Sequence, residues 1–412
     1  MDEPSAAARG RTGTFAALAY PNYRLWFFGQ MTSLFGTWMQ STAQGYLVYE
    51  LTRSEAYLGY VGFASGIAAW LFLLYGGAVA DRVPRRKLLV ITQALSMLLA
   101  LLLAALTFLR VVAPWHIIVL AFSLGVVNAF DAPSRQSFVL EMVDRPVLTN
   151  AIALNSTMFN MAMVVGPSIG GLAYAFFGPG WCFVINGLSF VAVIAALLAM
   201  KLAPWRPPER AGSTMAEIRA GLRAVASDRR VLGVMCLLGA VSLFGMSFVT
   251  LIPAWAVDVL KGDARTNGFL QSARGIGALA AALGIASLSP RRSRGAVMMI
   301  ASFILPVLLV LFSFTRSLPL SLAVLCAVGA ANIVANNLAN SLVQTLTPDP
   351  LRGRVMGVYM LTFFGFMPIG ALIAGGAATA VGVPVTVMLG AAGTLVCAAV
   401  LALAIPSLRR LE

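Results

Sequence analysis

Gly77-Ala-Val-Ala-Asp81-Arg82-Val-Pro84-Arg85-Arg86-Lys87 is the stretch on which the fold turns. It is short and densely charged, and it joins two apolar runs at roughly 57–80 and 88–110. Each run is long enough to cross a bilayer as a helix. The arginines and the lysine are what a cytoplasmic connection carries in a membrane protein. They do not account for Gly77 or Asp81. A glycine at a helix surface lets another helix approach closely. An aspartate at a helix end can face the positive N-terminal end of a neighbouring helix.

The rest of the chain repeats this alternation of apolar run and short connection. Of its 412 residues, 59% are apolar and 11% charged, with a mean hydropathy of +0.87. Soluble domains carry about 25% charged residues, so a water-soluble chain of this size could not cover its surface. Apolar runs recur at about 25–57, 57–80, 88–110, 115–139, 149–177 and 181–201, then at 231–256, 266–288, 295–315, 318–346, 352–380 and 384–405. The alternating ten-residue segments of a β-barrel are missing from the pattern. With the N-terminus inside, one set of outer connections holds only Arg53, Arg110, Lys261, Arg265 and Arg316. The inner segments hold nearly all the other basic residues, including Arg82, Arg85, Arg86, Lys87, Arg352 and Arg354. This asymmetry predicts a multi-pass protein of the inner (cytoplasmic) membrane with both termini in the cytoplasm. It also accounts for the net charge of +14 without a nucleic-acid partner. Cys182, Cys236, Cys326 and Cys397 lie in apolar runs and read as small core residues.

A polar gap divides the runs six and six. The expected organisation is a six-helix bundle over 1–201, a cytoplasmic linker over 202–230 and a second six-helix bundle over 231–412. The linker opens with Trp205-Arg206-Pro207-Pro208 and continues with Met215, Ile218, Leu222 and Val225 at helical spacing, predicting an amphipathic helix on the inner membrane surface. The halves also repeat in sequence. Gly125-Val-Val-Asn128 matches Gly329-Ala-Ala-Asn332 at an offset of 204 residues. The same offset pairs Phe159 with Phe363, Gly166 with Gly370, Gly171 with Gly375 and Gly178 with Gly382. The expected fold class is an all-α integral membrane protein of twelve transmembrane helices in two pseudo-repeat bundles. Internal duplication marks alternating-access transporters, whose site lies between the repeats.

The opening loop resembles the G-x-x-x-D-R-x-G-R-R motif of the major facilitator superfamily, with Pro84 in place of the usual glycine. The resemblance implies that Gly77, Asp81, Arg82, Arg85 and Arg86 form an inner gate. Asp81 would face the start of the eleventh helix, near Leu351–Gly357, and latch the halves in an outward-open state. The corresponding second-half loop, Gly284 to Arg292, has Leu288 in place of the aspartate, so the latch is expected on one side only. The fourth helix carries Asp131 and Arg135, four apart and on one face. By resemblance Arg85 would also reach Asp131, and protonation of Asp131 would release it. A permanent gate salt bridge without proton traffic is the alternative. Gly166-Pro167-Ser-Ile-Gly170-Gly171 resembles the G-P-x-x-G-G motif of the superfamily's antiporters, with Ala153 and Ala162 for the upstream glycines. Together with Leu47-Val-Tyr-Glu-Leu-Thr52, these segments are similar to the drug and siderophore exporter branch, that of the enterobactin exporter and the macrolide and tetracycline efflux proteins. The branch implies efflux by proton antiport.

The sequence has no G-x-x-x-x-G-K-[ST] phosphate loop. With no nucleophile–base set and no metal cluster, an enzyme is not expected, nor is a cofactor. A midplane binding site needs inward polar or aromatic side chains. The candidates are Gln40 and Gln44 on the first helix, Asn155 and Asn160 on the fifth, and Phe244 and Phe248 on the seventh. Gln271 and Arg274 on the eighth join them, with Asn332, Asn336 and Asn340 on the tenth. Amides and aromatics suit a bulky amphipathic solute. The expected partners are that solute, protons and the lipid bilayer, acting on a monomer. The other outcome is a facilitator, importer or lipid flippase of the same fold without proton coupling.

Overall fold

The computed structural model describes residues 13–202, 214–287 and 294–407. Over these residues the regular structure is helical throughout. The long helices of the first half are α1 (Pro21–Thr52), α2 (Glu55–Ala80), α3 (Arg85–Phe108), α4 (Pro114–Phe138), α5 (Leu148–Phe177) and α6 (Pro179–Ala199). Those of the second are α7 (Arg229–Val259), α8 (Ala264–Ser287), α9 (Arg294–Ser313), α10 (Leu318–Leu346), α11 (Asp349–Val381) and α12 (Val383–Ala404). Among the described residues, eleven helices are long and apolar enough to cross a membrane. The remaining long helix, α1, carries Asn22, Arg24, Gln30, Gln40 and Gln44, which dilute its apolar character.

Prolines at the first turn of α1, α4, α6, α10, α11 and α12 mark helix starts, where the missing N–H has no intrahelical partner to lose. The repeat is visible in the backbone. Gly178 ends α5 at φ +85°, and Gly382, 204 residues later, ends α11 at φ +83°. Both sit in the left-handed region that favours glycine, so the same turn is made twice.

Within the first half α2 packs on α4, α1 on α5 and α6, and α3 on α4 and α6; in the second, α8 packs on α10, and α9 on α10 and α12. The halves meet through α2 with α11 and α5 with α8. An even number of crossings brings residues 13 and 407 to one end of the bundle, the terminal end. At the far end a single apolar core runs through both halves, from Met39, Leu47 and Phe183 to Phe248, Trp255 and Phe312. At the terminal end the cores are separate. One is built on Tyr23, Trp26, Leu89 and Phe138, the other on Val234, Met298, Val343 and Val355. The two halves are therefore joined at the far end and parted at the terminal end.

Two elements differ from the sequence expectation. The seventh run is not a plain helix. Its α-helical start, Arg229–Ala240, gives way to π turns at Val241–Gly245 and Trp255–Val259, with a 3-10 segment at Ser247–Leu251 between them. Pro253, with no N–H to donate, lies in this broken stretch. The linker helix, Thr214–Ser227, docks on protein as well. A Cβ at Gly221 would lie 2.6 Å from the Arg354 carbonyl of α11, and Val225 joins the core beside Val231 and Val355. Val225 is thus taken up by protein, while Leu222 of the same stripe stays 52% exposed. Trp205–Pro208 and Leu288 lie outside the described residues.

Glycines set the closeness of the far-end contact. A Cβ at Gly59 of α2 would lie 2.9 Å from the Ala371 carbonyl and 3.1 Å from Gly375 Cα on α11. A Cβ at Gly171 of α5 would lie 3.1 Å from Gly268 Cα on α8. Gly171→Leu and Gly375→Leu should each cost about 1–3 kcal/mol by overpacking. The check is disulfide yield between cysteines placed at Ser168 and Ser272, in a background lacking the native cysteines. Their hydroxyl oxygens are 2.7 Å apart, and the yield should fall in both glycine variants.

Candidate functional site

The opening loop lies at the terminal end between α2 and α3. Gly59, Gly66 and Trp70 form a stripe on α2 that α11 covers: Gly66 meets Pro368, and Trp70 Nε1 donates to the Leu361 carbonyl at 3.2 Å. Gly77 continues that stripe one heptad beyond Trp70, yet no atom lies within 4 Å of a Cβ placed there. Gly353 and Gly357 on α11 are equally open. The helices have separated before reaching Asp81. The Asp81 side chain is 62% exposed, and its nearest ion-pair partner is Arg85 at 3.8 Å. Arg86 donates to the Leu198 carbonyl at 2.6 Å, and Arg82 is exposed. The latch between Asp81 and α11 is not made in this conformation.

Asp131 of α4 is buried among donors. Its Oδ1 accepts from Thr92 Oγ1 and from Gln93 Nε2, both at 2.8 Å, and its Oδ2 lies 3.6 Å from Arg135 Nε. A carboxylate inside a span is costly unless such donors surround it. The relay expected from Arg85 to Asp131 is not made. Arg85 Nη1 instead donates to Glu141 Oε1 at 2.8 Å. Glu141 follows α4, and the 3-10 turn Val139–Glu141 brings it back beside the loop. The sequence motif contains no position for Glu141, so only the chain reversal reveals it.

The α5 motif serves two contacts. Gly166 and Gly170 admit Trp38 and Met39 of α1, while Gly171 and the Pro167 carbonyl lie against Gly268 of α8. Ser168 extends the inter-half contact, with its N–H 3.0 Å and its hydroxyl 2.7 Å from Ser272 Oγ. Beyond them, at the far end, Tyr49 of α1 donates to Asp258 of α7 and Tyr174 to Glu50.

A solute site between the halves would lie between these far-end contacts and the open terminal end. The face of α8 that borders it follows from its contacts. Gly268, Ser272 and Gly275 meet α5, Gly277 meets Cys326 of α10, and Ile276 and Leu283 are exposed on the outside. That leaves Asn267 and Gln271 turned toward the first half, where Asn267 Nδ2 donates to the Thr42 carbonyl at 3.4 Å; Arg274 borders this face beside the α10 crossing, its carbonyl against Gly329. Gln271 donates to Asn267 at 3.3 Å. On α1, Thr37 and Ser41 are exposed in mid-helix, on the side that carries Gly45 to Pro253 of α7. Sequence inspection passes over them, because hydroxyls often bond their own helix. Asn160 spends its amide on the Ser156 carbonyl at 2.8 Å, and Phe159 beside it is 44% exposed and in edge contact with Trp38.

Other predicted positions are used inside one half. Gln40 is buried and accepts from Asn186 of α6 at 2.7 Å. Asn155 accepts from Tyr23 at 3.1 Å. Phe248 is buried against Phe312, and Phe244 fills the space over Gly390 and Gly393 of α12. Each of these four side chains meets a helix of its own bundle. Gln44 is half-buried on α1. Along α10 the amides bond in sequence: Asn336 donates to Asn332 at 2.9 Å, and Gln344 to Asn340. Tyr359 of α11 donates to the Asn336 carbonyl at 3.2 Å.

The family described as transmembrane secretion effectors matches residues 12–412. The multidrug efflux pump Tap of Mycolicibacterium fortuitum is 29% identical over 93% of this chain and 96% of its own. The enterobactin exporter EntS of Shigella boydii is 25% identical over 95% of this chain and 93% of its own. A solved bacterial homologue of the human lysosomal transporter Spinster, in an inward-facing and unoccupied conformation, superposes with a TM-score of 0.72 at 15% identity. That match covers 95% of this chain and 99% of its own.

The Arg85–Glu141 pair is partly buried on both sides. A double-mutant cycle with Arg85→Ala and Glu141→Ala, read as thermal stability in detergent, should return a coupling of about 1 kcal/mol. A cycle between Arg85 and Asp131 should return none.

Proposed function

Because this chain belongs to the major facilitator transporters, in the family of transmembrane secretion effectors, we propose that it exports a hydrophobic or amphipathic small molecule by alternating access, driven by proton antiport. The carrying observation is the cohesion of the halves at the far end and their separation at the terminal end. The distribution of basic residues supports a cytoplasmic terminal end. On that orientation the space bordered by α1, α5 and α8 opens to the cytoplasm, where an exporter collects cargo. The named activities of Tap, a multidrug efflux pump, and EntS, an enterobactin exporter, point the same way.

Transport then requires residues 1–201 to rock against 231–412. Closing the terminal end would carry the open stripe of Gly77 onto that of Gly353 and Gly357. Asp81 would reach the start of α11, where the helix dipole favours a carboxylate by about 0.3–1 kcal/mol. Arg82, Arg85 and Arg86 would hold the loop while Asp131 senses the state of the gate. Protonation of Asp131 would release Arg135 and redistribute the donors Thr92 and Gln93.

One observation favours an uncoupled facilitator instead. The charged form of Asp131 is already met by Thr92, Gln93 and Arg135, as a permanent structural pair would be. Proteoliposomes loaded with a hydrophobic fluorescent dye, with and without an imposed pH gradient, separate the two. Antiport predicts gradient-driven accumulation that Asp131→Asn abolishes, whereas a facilitator equilibrates the dye in both conditions. Independently, Asp81→Asn should abolish efflux from cells while the protein stays in the membrane at wild-type abundance. Wild-type efflux in that variant would remove the latch from the mechanism.

A further inference from the structure

We propose that Arg274 is a specificity-determining residue that selects cargo bearing an oxyanion, such as a carboxylate, on an apolar or aromatic body. This rests on the export reading and narrows its substrate class. Arg274 is half-buried on α8 beside the α10 crossing, at the edge of the face that carries Asn267 and Gln271. Its Nε is enclosed and has no hydrogen-bond partner. Among the described residues it enters no ion pair: the pairs are made by other arginines, Arg85, Arg135, Arg230, Arg265 and Arg352.

An arginine stays charged in any protein environment, and a charge in mid-span without a partner is costly. The described residues supply none. The other carboxylates of the bundle interior are already engaged: Asp131 by Thr92, Gln93 and Arg135, Glu50 by Tyr174 and Asp258 by Tyr49. A planar guanidinium matches a carboxylate with two parallel hydrogen bonds. Gln271, three residues away on the same face, adds a second polar group.

The opposite wall suits the rest of such a molecule. Gly275 packs on Met163, and Gly166 on Trp38. That register brings the edge-packed pair Trp38–Phe159 to within about two helical turns of Arg274 in depth. One half offers a fixed cation and the other an aromatic surface, so a ligand that uses both must bridge the halves.

The test uses the full-length purified protein in a non-ionic detergent and three probes on one ring system: naphthalene-2-carboxylate, naphthalene-2-methanol and 2-naphthylmethylammonium. Isothermal titration should give the order carboxylate, alcohol, ammonium. Arg274→Gln should weaken the carboxylate relative to the alcohol by about ten- to a hundredfold, the range for a hydrogen bond to a charged group. Arg274→Lys should keep part of that preference. Gln271→Glu, which leaves the guanidinium in place but sets a carboxylate beside it, should remove the preference as well, and it decides the matter if Arg274→Gln does not fold. The proposal is overturned if the wild type binds the alcohol as well as the carboxylate, or binds none of the three. It is equally overturned if the preference survives Gln271→Glu, or if all three probes weaken together in Arg274→Gln. No transport is measured, so failure of export in vesicles would count against the function proposed above and not against the charge preference.

Discussion

The bundle depends on backbone touching backbone at the far end. Gly59 against Gly375 and Gly171 against Gly268 bring α2 to α11 and α5 to α8 more closely than any side chain would allow. In a bilayer, apolar burial does not drive helices together, because lipid is as apolar as leucine; van der Waals packing and hydrogen bonds do so. Small residues at the crossing are therefore where cohesion is strongest. Gly171 and Gly375 are themselves related by the 204-residue repeat. The two inter-half contacts are thus one contact made twice about a pseudo-twofold axis.

This constraint is local, which gives the structure its asymmetry of ends. On α2 the covered stripe stops at Trp70, although the glycine spacing continues to Gly77. Gly77, Gly353 and Gly357 leave room for the continued contact, but the helices have diverged. A pair of bundles joined firmly at one end and free at the other is suited to rocking, and a bistable arrangement is what alternating access needs. The polar groups follow the same division. Those near the far end are bonded across the halves, as with Asn267 to Thr42 and Ser168 to Ser272. Arg274, further down the same helix, is not.

Electrostatics at the terminal end separate into two groups. Arg85 belongs with Glu141 and Asp81, while Asp131 belongs with Arg135 and the α3 donors. Had Arg85 bridged to Asp131, the loop and the buried carboxylate would have formed one chain of charges. Their separation leaves Asp131 answerable to α3 and α4 alone. The remaining link near the loop is steric: Gly76 of α2 lies against the Ala129 carbonyl, two residues before Asp131.

Much of this architecture was determined by the sequence alone. Hydropathy sets the number of crossings, because each apolar run must satisfy its backbone internally as a helix. The constant offset reveals the duplication, and the left-handed turns at Gly178 and Gly382 carry it into the backbone. Spacing of four was enough to pair Asp131 with Arg135, since neighbours on one helix need no tertiary information. What only the tertiary structure decided were the contacts between helices. The amide of Gln40 is turned to Asn186, that of Asn155 to Tyr23, and Phe248 to Phe312. A residue's type says that it needs a partner or a cover. Which face of its helix meets which neighbour says whether the bundle supplies one, and among the described residues none is supplied to the Nε of Arg274.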